Sequence, residues 1–245
     1  MTTPATAPPA PPAPPKRDPN SLIEWAKSIA FAVVVYIVLR IFLLQAFRIP
    51  SPSMEQTLLI GDWLFVNKAV YGAPVPFTSW RTPAFREPAH GDIVVFISVE
   101  TPDLDVVKRV IGLPGDTIEM KDHAIYRNGL LVDEPNAVYD DTVAADPAEY
   151  RMKIRAWQLG HLARDTAGYA PDRKHWGPIV VPHDSLFVMG DNRDHSWDGR
   201  FWGFLPRANV RGTPLFLYYS YDPDTYKPLP GLTNIRWGRF FHVPR

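Results

Sequence analysis

The hydrophobic residues form one long run near the N-terminus, and further along the chain they recur in short blocks separated by turn residues. The long run lies within residues 21–45. Its uncharged centre, Ser28–Leu39, would span only ~18 Å as a helix, less than the ~30 Å hydrocarbon core of a bilayer. Lys27 and Arg40 flank this centre and can extend their charged ends to the two interfaces. The pattern therefore predicts a transmembrane anchor, helical over about Leu22–Leu44.

A cleavable signal peptide is the alternative interpretation, because a short apolar core behind basic residues is typical of one. No small-residue cleavage motif follows the run, where Ala46 stands alone. We therefore expect the segment to remain attached. Slightly more basic residues precede the run than follow it, which favours an N-terminus in the cytoplasm. These residues are Lys16, Arg17 and Lys27 before the run, and Arg40 and Arg48 just after it.

The later blocks have the length and composition of β-strands, and Gly, Pro and Asn-Gly turns separate them. The predicted strands are residues 63–67, 92–97, 105–111, 185–189 and 214–220, together with a hairpin over 117–132 that turns at Asn128-Gly129. Residues 133–177 lack clear periodicity, so we expect an insertion or small subdomain there. The aromatic segment 237–242 could lie in a membrane interface or pack on the sheet, and we favour packing.

The predicted fold class is mostly β, with a single N-terminal transmembrane helix followed by an all-β domain over residues 46–245. Residues 1–20 are almost entirely Pro, Ala and Thr, so we expect a disordered tail. Hydrophobic residues make up 46% of the chain, enough for a core, and the net charge of +0 gives no reason to expect a nucleic-acid partner. The absence of cysteine excludes disulfides, thiolate zinc sites and a cysteine nucleophile.

The stretch Pro50-Ser51-Pro52-Ser53 follows the long apolar run directly. Ser51 lies between the two prolines, and Ser53 comes after the second. A proline fixes its own φ and restricts the residue before it. This rigid turn could present the Ser53 hydroxyl as a nucleophile. An interfacial linker is the alternative, because serine and proline are ordinary linker residues.

Lys108 is the unusual residue of its predicted strand, because Val106, Val107, Val110 and Ile111 surround it. Burial among apolar residues disfavours the ammonium and lowers the pKa of a lysine, which makes the neutral amine available as a general base. The alternative is a lysine on an exposed strand face.

Histidine offers a second candidate for the base. The seven histidines show no metal-ligand spacing, so they give no reason to expect a metal site. A Ser-His-Asp triad can assemble from distant positions, and His195 is then its best candidate.

Several motifs together resemble the sequence boxes of bacterial type I signal peptidases, in the same order and behind an N-terminal anchor. They are Ile49–Leu58, Gly61-Asp62 followed by Lys68, Lys108–Asp116, and Gly190–Arg200. The resemblance covers about residues 22–220. It implies a Ser/Lys dyad protease with an all-β catalytic domain and a site at the outer membrane surface.

The resemblance also implies roles for individual residues. Ser53 would be the nucleophile and Lys108 the general base. Ser51 would donate its hydroxyl to the oxyanion hole, and Ser196 would hydrogen-bond the Lys108 amine and orient it. The residues expected to brace the site are Arg109, Asp191, Asp198 and Arg200. Those that could line shallow substrate pockets, or else form plain core, are Phe47, Ile49, Leu58, Val95 and Val107.

The function implied is that of a single-pass endopeptidase of the bacterial inner membrane that removes signal peptides from exported preproteins on the periplasmic side. The expected partners are preprotein signal peptides, membrane lipid and the protein-export machinery, and the implied reaction needs no metal or cofactor. Two alternatives remain open at this point. One is a Ser/Lys processing peptidase for one exported substrate, and the other is a non-catalytic, membrane-tethered binding domain of a secretion complex.

Overall fold

A computed structural model describes residues 21–78, 80–164, 168–223 and 226–245 of the chain. The predicted disordered tail, residues 1–20, lies outside the described residues. The chain divides between Leu39 and Arg40 into two units, and the second holds all of the strands described below.

The apolar run forms helix α1, Ser21–Phe42, of which Leu22–Phe42 has a mean hydropathy of 2.0 and is long enough to cross a membrane. The helix ends two residues before the predicted boundary at Leu44. Residues Leu44–Arg48 instead form strand β1, in which outward and partly buried side chains alternate. This alternation has the period of a strand, so pairing with the sheet determines the conformation of these residues.

A seven-stranded antiparallel sheet forms the larger part of the fold. In spatial order its strands are β1, β2 (Asp62–Asn67), β11 (Val210–Ser220), β3 (Ile93–Ile97), β4 (Asp105–Gly112), β9 (Ser185–Met189) and β10 (Leu205–Pro206). Each of the five strands predicted from apolar blocks is present, and the mostly β fold class is confirmed. The sequence did not indicate the two-residue strand β10.

A second, four-stranded sheet has the order β7 (Leu130–Leu131), β6 (Ala124–Arg127), β5 (Thr117–Lys121) and β8 (Trp176–Val180). The hairpin predicted over residues 117–132 is therefore a three-stranded meander. Asn128-Gly129 forms its second turn, and Asp122-His123 forms the first. Both Asp122 and His123 have positive φ, at 48° and 67°. Asn-Gly favours such a turn more than Asp-His does, so the sequence pattern did not indicate this first turn.

Residues 133–177 contain helix α2, Ala148–Gln158, which the sequence did not indicate. Charged and apolar residues are interspersed in its sequence AEYRMKIRAWQ, and Ile154 and Gln158 are its buried residues. Trp157 packs against Phe187 and Phe204 of the main domain. Tyr150, Ile154 and Trp157 recur at helical spacing and pack against one core cluster, so tertiary packing of this narrow apolar stripe stabilises the helix. The remaining helices are short: α3 at Gly199–Trp202 and α4 at Pro230–Thr233.

Strands β3 and β4 contribute side chains to separate hydrophobic clusters. Val95 and Val107 belong to a cluster with Ile49 and Leu58, while Val94 and Val110 belong to another. Because side chains alternate along a strand, Lys108 shares a face with Val110. Residue 108 therefore lies in apolar surroundings in the middle of the main sheet.

The C-terminal aromatic segment pairs with β11 through its backbone. Phe241 N–H donates to the Leu217 carbonyl at 2.7 Å, and Leu217 N–H donates to the His242 carbonyl at 2.9 Å. The segment thus lies against the sheet, as expected. The Trp237 and Phe241 side chains nevertheless remain exposed.

Candidate active site

The prolines shape the turn that carries Ser51 and Ser53. Ser51 is extended, with φ −132° and ψ 156°, and Pro52 begins a short 3-10 helix, Pro52–Met54. Proline suits this first position because its fixed φ fits a helical turn and the missing N–H would have no partner there. Glu55 N–H donates to the Pro52 carbonyl at 2.9 Å and closes the turn. Ser53 is thereby buried, with its hydroxyl directed toward β4.

Lys108 reaches this hydroxyl from the middle of β4, opposite Val94 of β3. Its Nζ donates a hydrogen bond to Ser53 Oγ at 2.6 Å, and its side chain is only 3% exposed. The exposed-lysine alternative is therefore wrong. Burial lowers the pKa of Lys108 to about 8, an effect that Arg200 strengthens and Asp198 opposes. About a tenth of the molecules then carry the neutral amine at pH 7.

The other two serines flank this pair. Ser51 Oγ lies 3.4 Å from Ser53 Oγ. Ser196 is buried, but within the described residues its Oγ has no hydrogen-bond partner, so the expected bond to Lys108 is not formed. The Ser196 hydroxyl instead packs against Gly190. A side chain at position 190 would overlap both Ser196 Oγ and the Ser53 carbonyl, which explains a glycine here.

Arg109 and Asp191 form a buried ion pair near residues 52–58, the turn that carries the candidate nucleophile Ser53 (the nucleophile turn). Arg109 Nε and Nη2 each donate to an oxygen of Asp191 at 2.7 Å. Thr57 Oγ1 donates to the same carboxylate at 2.6 Å. Thr57 N–H donates to the Met54 carbonyl at 3.1 Å, so the ion pair connects β4, the nucleophile turn and the loop after β9.

Asp198 and Arg200 form a second buried ion pair on the far side of Gly190. Arg200 Nε and Nη2 each donate to an Asp198 oxygen at 2.9 Å, and Gly190 N–H donates to Asp198 at 3.0 Å. Burial alone would raise the pKa of the Asp198 carboxyl, but Arg200 and the Gly190 N–H lower it below its ordinary value. Asp198 therefore stays ionised near Lys108. The four predicted bracing residues all lie in these two pairs.

Sequence reasoning missed two residues within the Gly190–Arg200 motif. Asn192 N–H donates to the Ser53 carbonyl at 3.1 Å, and its side chain donates to the Pro52 carbonyl at 3.3 Å. Arg193 is only 1% exposed and makes two hydrogen bonds to Glu134 at 2.9 and 2.5 Å. The motif itself signalled Asn192 and Arg193, whereas nothing local to Glu134 indicated a partner 59 residues away.

His195 does not take part in the Ser53 pair. Its Nε2 lies 3.0 Å from Asp140 Oδ2 at a half-exposed position. The Ser53 hydroxyl has Lys108 as its basic neighbour, so the triad alternative is not supported. Among the described residues, no group of three or more His, Asp or Glu side chains is arranged to hold a metal ion.

Two cavities meet at Ser51 and Ser53. The Phe47 cavity, of about 170 Å³, is lined by Phe47, Ile49, Pro50, Ser51, Ser53, Met54, Leu104, Asp105, Val106 and Val107. The Trp197 cavity, of about 330 Å³, is lined by Ser51, Ser53, Phe96, Ser98, Val99, Glu100, Thr101, Leu104, Val106, Lys108, His195, Trp197 and Trp202.

The predicted pocket residues divide between lining and core. Phe47, Ile49 and Val107 line the Phe47 cavity. Leu58 and Val95 line neither of these two cavities and belong to the buried cluster behind them. Leu104 and Val106 line both cavities and were not predicted.

Comparison with known protein sequences points to one family. The sequence model of the family described as "Signal peptidase, peptidase S26" matches residues 22–219. Signal peptidase I of Pseudomonas aeruginosa is 34% identical, over 87% of this chain and 78% of that protein. Signal peptidase I S of Bacillus subtilis is 37% identical, over 83% of this chain and 92% of that protein. A crystal structure of a signal peptidase I from Enterococcus faecalis is 27% identical, with a TM-score of 0.36 over 53% of this chain and 98% of that chain.

Proposed function

Since the chain belongs to the peptidase S26 family of signal peptidases, we propose that it removes signal peptides from exported preproteins with Ser53 as nucleophile and Lys108 as general base. Membership of this family makes the chain a serine peptidase that hydrolyses peptide bonds. The observation that carries the residue assignment is the 2.6 Å contact between Lys108 Nζ and Ser53 Oγ.

The chemistry follows from this contact. A serine hydroxyl becomes an effective nucleophile when a base takes its proton. Neutral Lys108 accepts the Ser53 proton as Oγ attacks the carbonyl carbon of the scissile bond. The C–N bond then breaks, Lys108 returns the proton to the leaving nitrogen, and an ester remains on Ser53. Water then hydrolyses this ester, with Lys108 again as the base.

The oxyanion that forms during attack needs donors that are already in place. We assign this role to the Ser51 hydroxyl, 3.4 Å from Ser53 Oγ, and to the Ser53 N–H. Pro52 removes one backbone N–H from this region, so the Ser51 side chain carries more of the stabilisation. Ser196 is the candidate for orienting the Lys108 amine, because its buried hydroxyl lies beside Gly190 and has no hydrogen-bond partner of its own among the described residues.

The two ion pairs hold in place the segments that surround Ser53 and Lys108. Asp191 holds Thr57 at the end of the nucleophile turn, and Asp198 holds the Gly190 N–H beside Ser53. Each carboxylate is paired with its own arginine, Asp191 with Arg109 and Asp198 with Arg200. We assign all four to positioning.

The N-terminal helix suggests how the enzyme reaches its substrates. The family is membrane-associated, and α1 has the length and hydropathy of a membrane span. We propose that α1 stays attached as the anchor of a single-pass protein, with the N-terminus in the cytoplasm and the catalytic domain, residues 46–245, on the periplasmic face of the inner membrane. Membrane lipid and the export machinery would then be its neighbours.

Cleavage of preproteins by the purified full-length chain in phospholipid vesicles tests the proposal. Ser53→Ala and Lys108→Met should both abolish cleavage. Lys68→Met is the matched control, because Lys68 is a second lysine whose pKa burial lowers, yet it lines neither cavity. Wild-type rates from Lys108→Met would refute the dyad.

The same experiment separates the alternative functions. Cleavage of many unrelated preproteins supports a general signal peptidase, and cleavage of one supports a specialised processing peptidase. Binding of preproteins without cleavage would support a non-catalytic domain. The buried Lys108–Ser53 contact argues against the last, since a binding domain gains nothing from burying a lysine beside a serine.

A further inference from the structure

Of the two cavities that meet at Ser53, Lys108 lines the Trp197 cavity and not the Phe47 cavity. In the proposed reaction, the proton that Lys108 takes from Ser53 Oγ goes to the nitrogen that leaves when the C–N bond breaks. That nitrogen must come within hydrogen-bond reach of Lys108 Nζ. The residue after the scissile bond therefore enters the Trp197 cavity, and the residues before the bond lie toward the Phe47 cavity.

Trp197 is held firmly at the wall of this cavity although its side chain is 40% exposed. Its ring stacks on Phe201 with centroids 4.3 Å apart and an interplanar angle of 6°. Lys153 Nζ lies 4.4 Å from the ring centroid. The indole N–H donates to Glu100 at 2.6 Å, and Lys153 donates to the same carboxylate at 2.7 Å. The indole is therefore constrained by stacking, by a cation and by a hydrogen bond.

The groups that hold Trp197 come from three separate segments. Lys153 belongs to α2, Phe201 to α3, and Glu100 to the loop between β3 and β4. This loop also supplies Ser98 and Leu104 to the cavity wall. A large side chain fixed from several directions cannot swing aside for a substrate, so it sets the width of the cavity.

We propose that Trp197 is a specificity-determining residue that limits the size of the first residue after the scissile bond. Small residues fit beside the indole, and aromatic residues at this substrate position collide with it. The inference deepens the proposed function and rests on the assignment of Lys108 as the base.

Two preprotein substrates that differ only in the first residue after the cleavage site, Ala or Phe, test this inference. The kcat/KM of each is measured with the full-length enzyme in phospholipid vesicles. The wild-type enzyme should favour the Ala substrate. Trp197→Ala should raise the Phe-to-Ala ratio of kcat/KM by ~10-fold or more, the scale on which a pocket discriminates side-chain size. Trp197→Phe, a smaller ring, should shift the ratio less.

Trp80→Ala is the matched control, because Trp80 is an exposed tryptophan that lines neither cavity, and it should leave the ratio unchanged. A Trp197→Ala enzyme that loses activity equally on both substrates would show a merely structural role and overturn the inference. If Trp197→Ala fails to fold, Glu100→Gln weakens the indole's hydrogen-bond partner while keeping the ring, and it should shift the ratio in the same direction. An unchanged ratio in Glu100→Gln would then overturn the inference.

The Lys108→Met variant separates an error in the size limit from an error in the Ser53–Lys108 dyad. Lys108→Met is assayed on both substrates in parallel. If it cleaves them at the wild-type rate, the base is elsewhere and the dyad is wrong. If it is inactive while Trp197→Ala leaves the ratio unchanged, the dyad stands and the size limit is wrong.

Discussion

Replacing Lys108 by Met should make the folded protein more stable near neutral pH while removing its activity. Lys108 is 3% exposed, and Met keeps much of its unbranched length without the charge. The reason for the gain is that the fold stabilises the neutral amine over the ammonium, so a charged Lys108 opposes folding.

The magnitude follows from the pKa. The fold lowers the pKa of Lys108 from 10.5 to about 8. A difference of roughly 2.5 in pKa, at ~1.36 kcal/mol for each unit, corresponds to ~3 kcal/mol. Because the folded pKa lies below the unfolded one, this cost is fully present below about pH 8. It shrinks as the pH rises from about 8 to about 10.5, and it is absent above that range.

Urea unfolding of the full-length protein in detergent, followed by tryptophan fluorescence between about pH 7 and about pH 10.5, measures the effect. The stability advantage of Lys108→Met over the wild type should approach ~3 kcal/mol at pH 7 and decline toward pH 10.5. Any difference in packing between Lys and Met is independent of pH, so the change with pH isolates the charge. Lys121→Met removes an exposed lysine and should show no such decline.

A stability difference that stays constant over this pH range would refute the reasoning, because the fold would then not distinguish the two forms of the amine. A Lys108→Met protein less stable than the wild type at pH 7 would contradict it more directly. It would mean that the contact with Ser53 Oγ outweighs the cost of burial.

Three further outcomes are expected. Ser51→Ala should lower kcat by ~10²–10³ with little change in KM, because the Ser51 hydroxyl is proposed to act mainly in the transition state. Ser51→Thr should retain much of the activity, and a full kcat for Ser51→Ala would contradict this role. Asp198→Asn removes a charge that raises the pKa of Lys108, so the acidic limb of the kcat/KM profile should move to lower pH rather than stay fixed. N-terminal sequencing of membrane-extracted protein should find α1 retained, and a mature start between Gln45 and Pro50 would disprove the anchor.

The main sheet could be predicted because its strands carry dense apolar blocks. The run around Lys108 is buried on both faces, and a continuous apolar run of this length indicates a buried strand even when its partner strands are unknown. Helix α2 could not be predicted, because Ile154 is its one fully buried aliphatic residue and the partners of Trp157 lie elsewhere in the chain. The first turn of the meander was hidden for a similar reason, since Asp122-His123 is not a typical turn pair.

The candidate site also contains residues that the sequence indicated and residues that it did not. Ser53 and Lys108 could be selected as candidates because each sits in a motif whose residues constrain it locally. Leu104 and Glu100 could not, because they belong to a loop without pattern whose place beside Ser53 depends on how β3 and β4 pair. The side-chain direction of Ser196 also depends on packing, here against Gly190, which no spacing in the sequence reveals.

The hydrogen bonds around Asn192 make the nucleophile turn part of a larger cooperative unit. Val138, from the insertion, donates to the Asp191 carbonyl at 2.8 Å and accepts from Arg193 N–H at 2.9 Å, while Asn192 N–H donates to the Ser53 carbonyl at 3.1 Å. Amides that share such a ladder exchange with solvent only when the whole ladder opens. Local unfolding of the turn that carries Ser53 therefore involves contacts of the insertion as well, although the insertion supplies none of the proposed reacting groups.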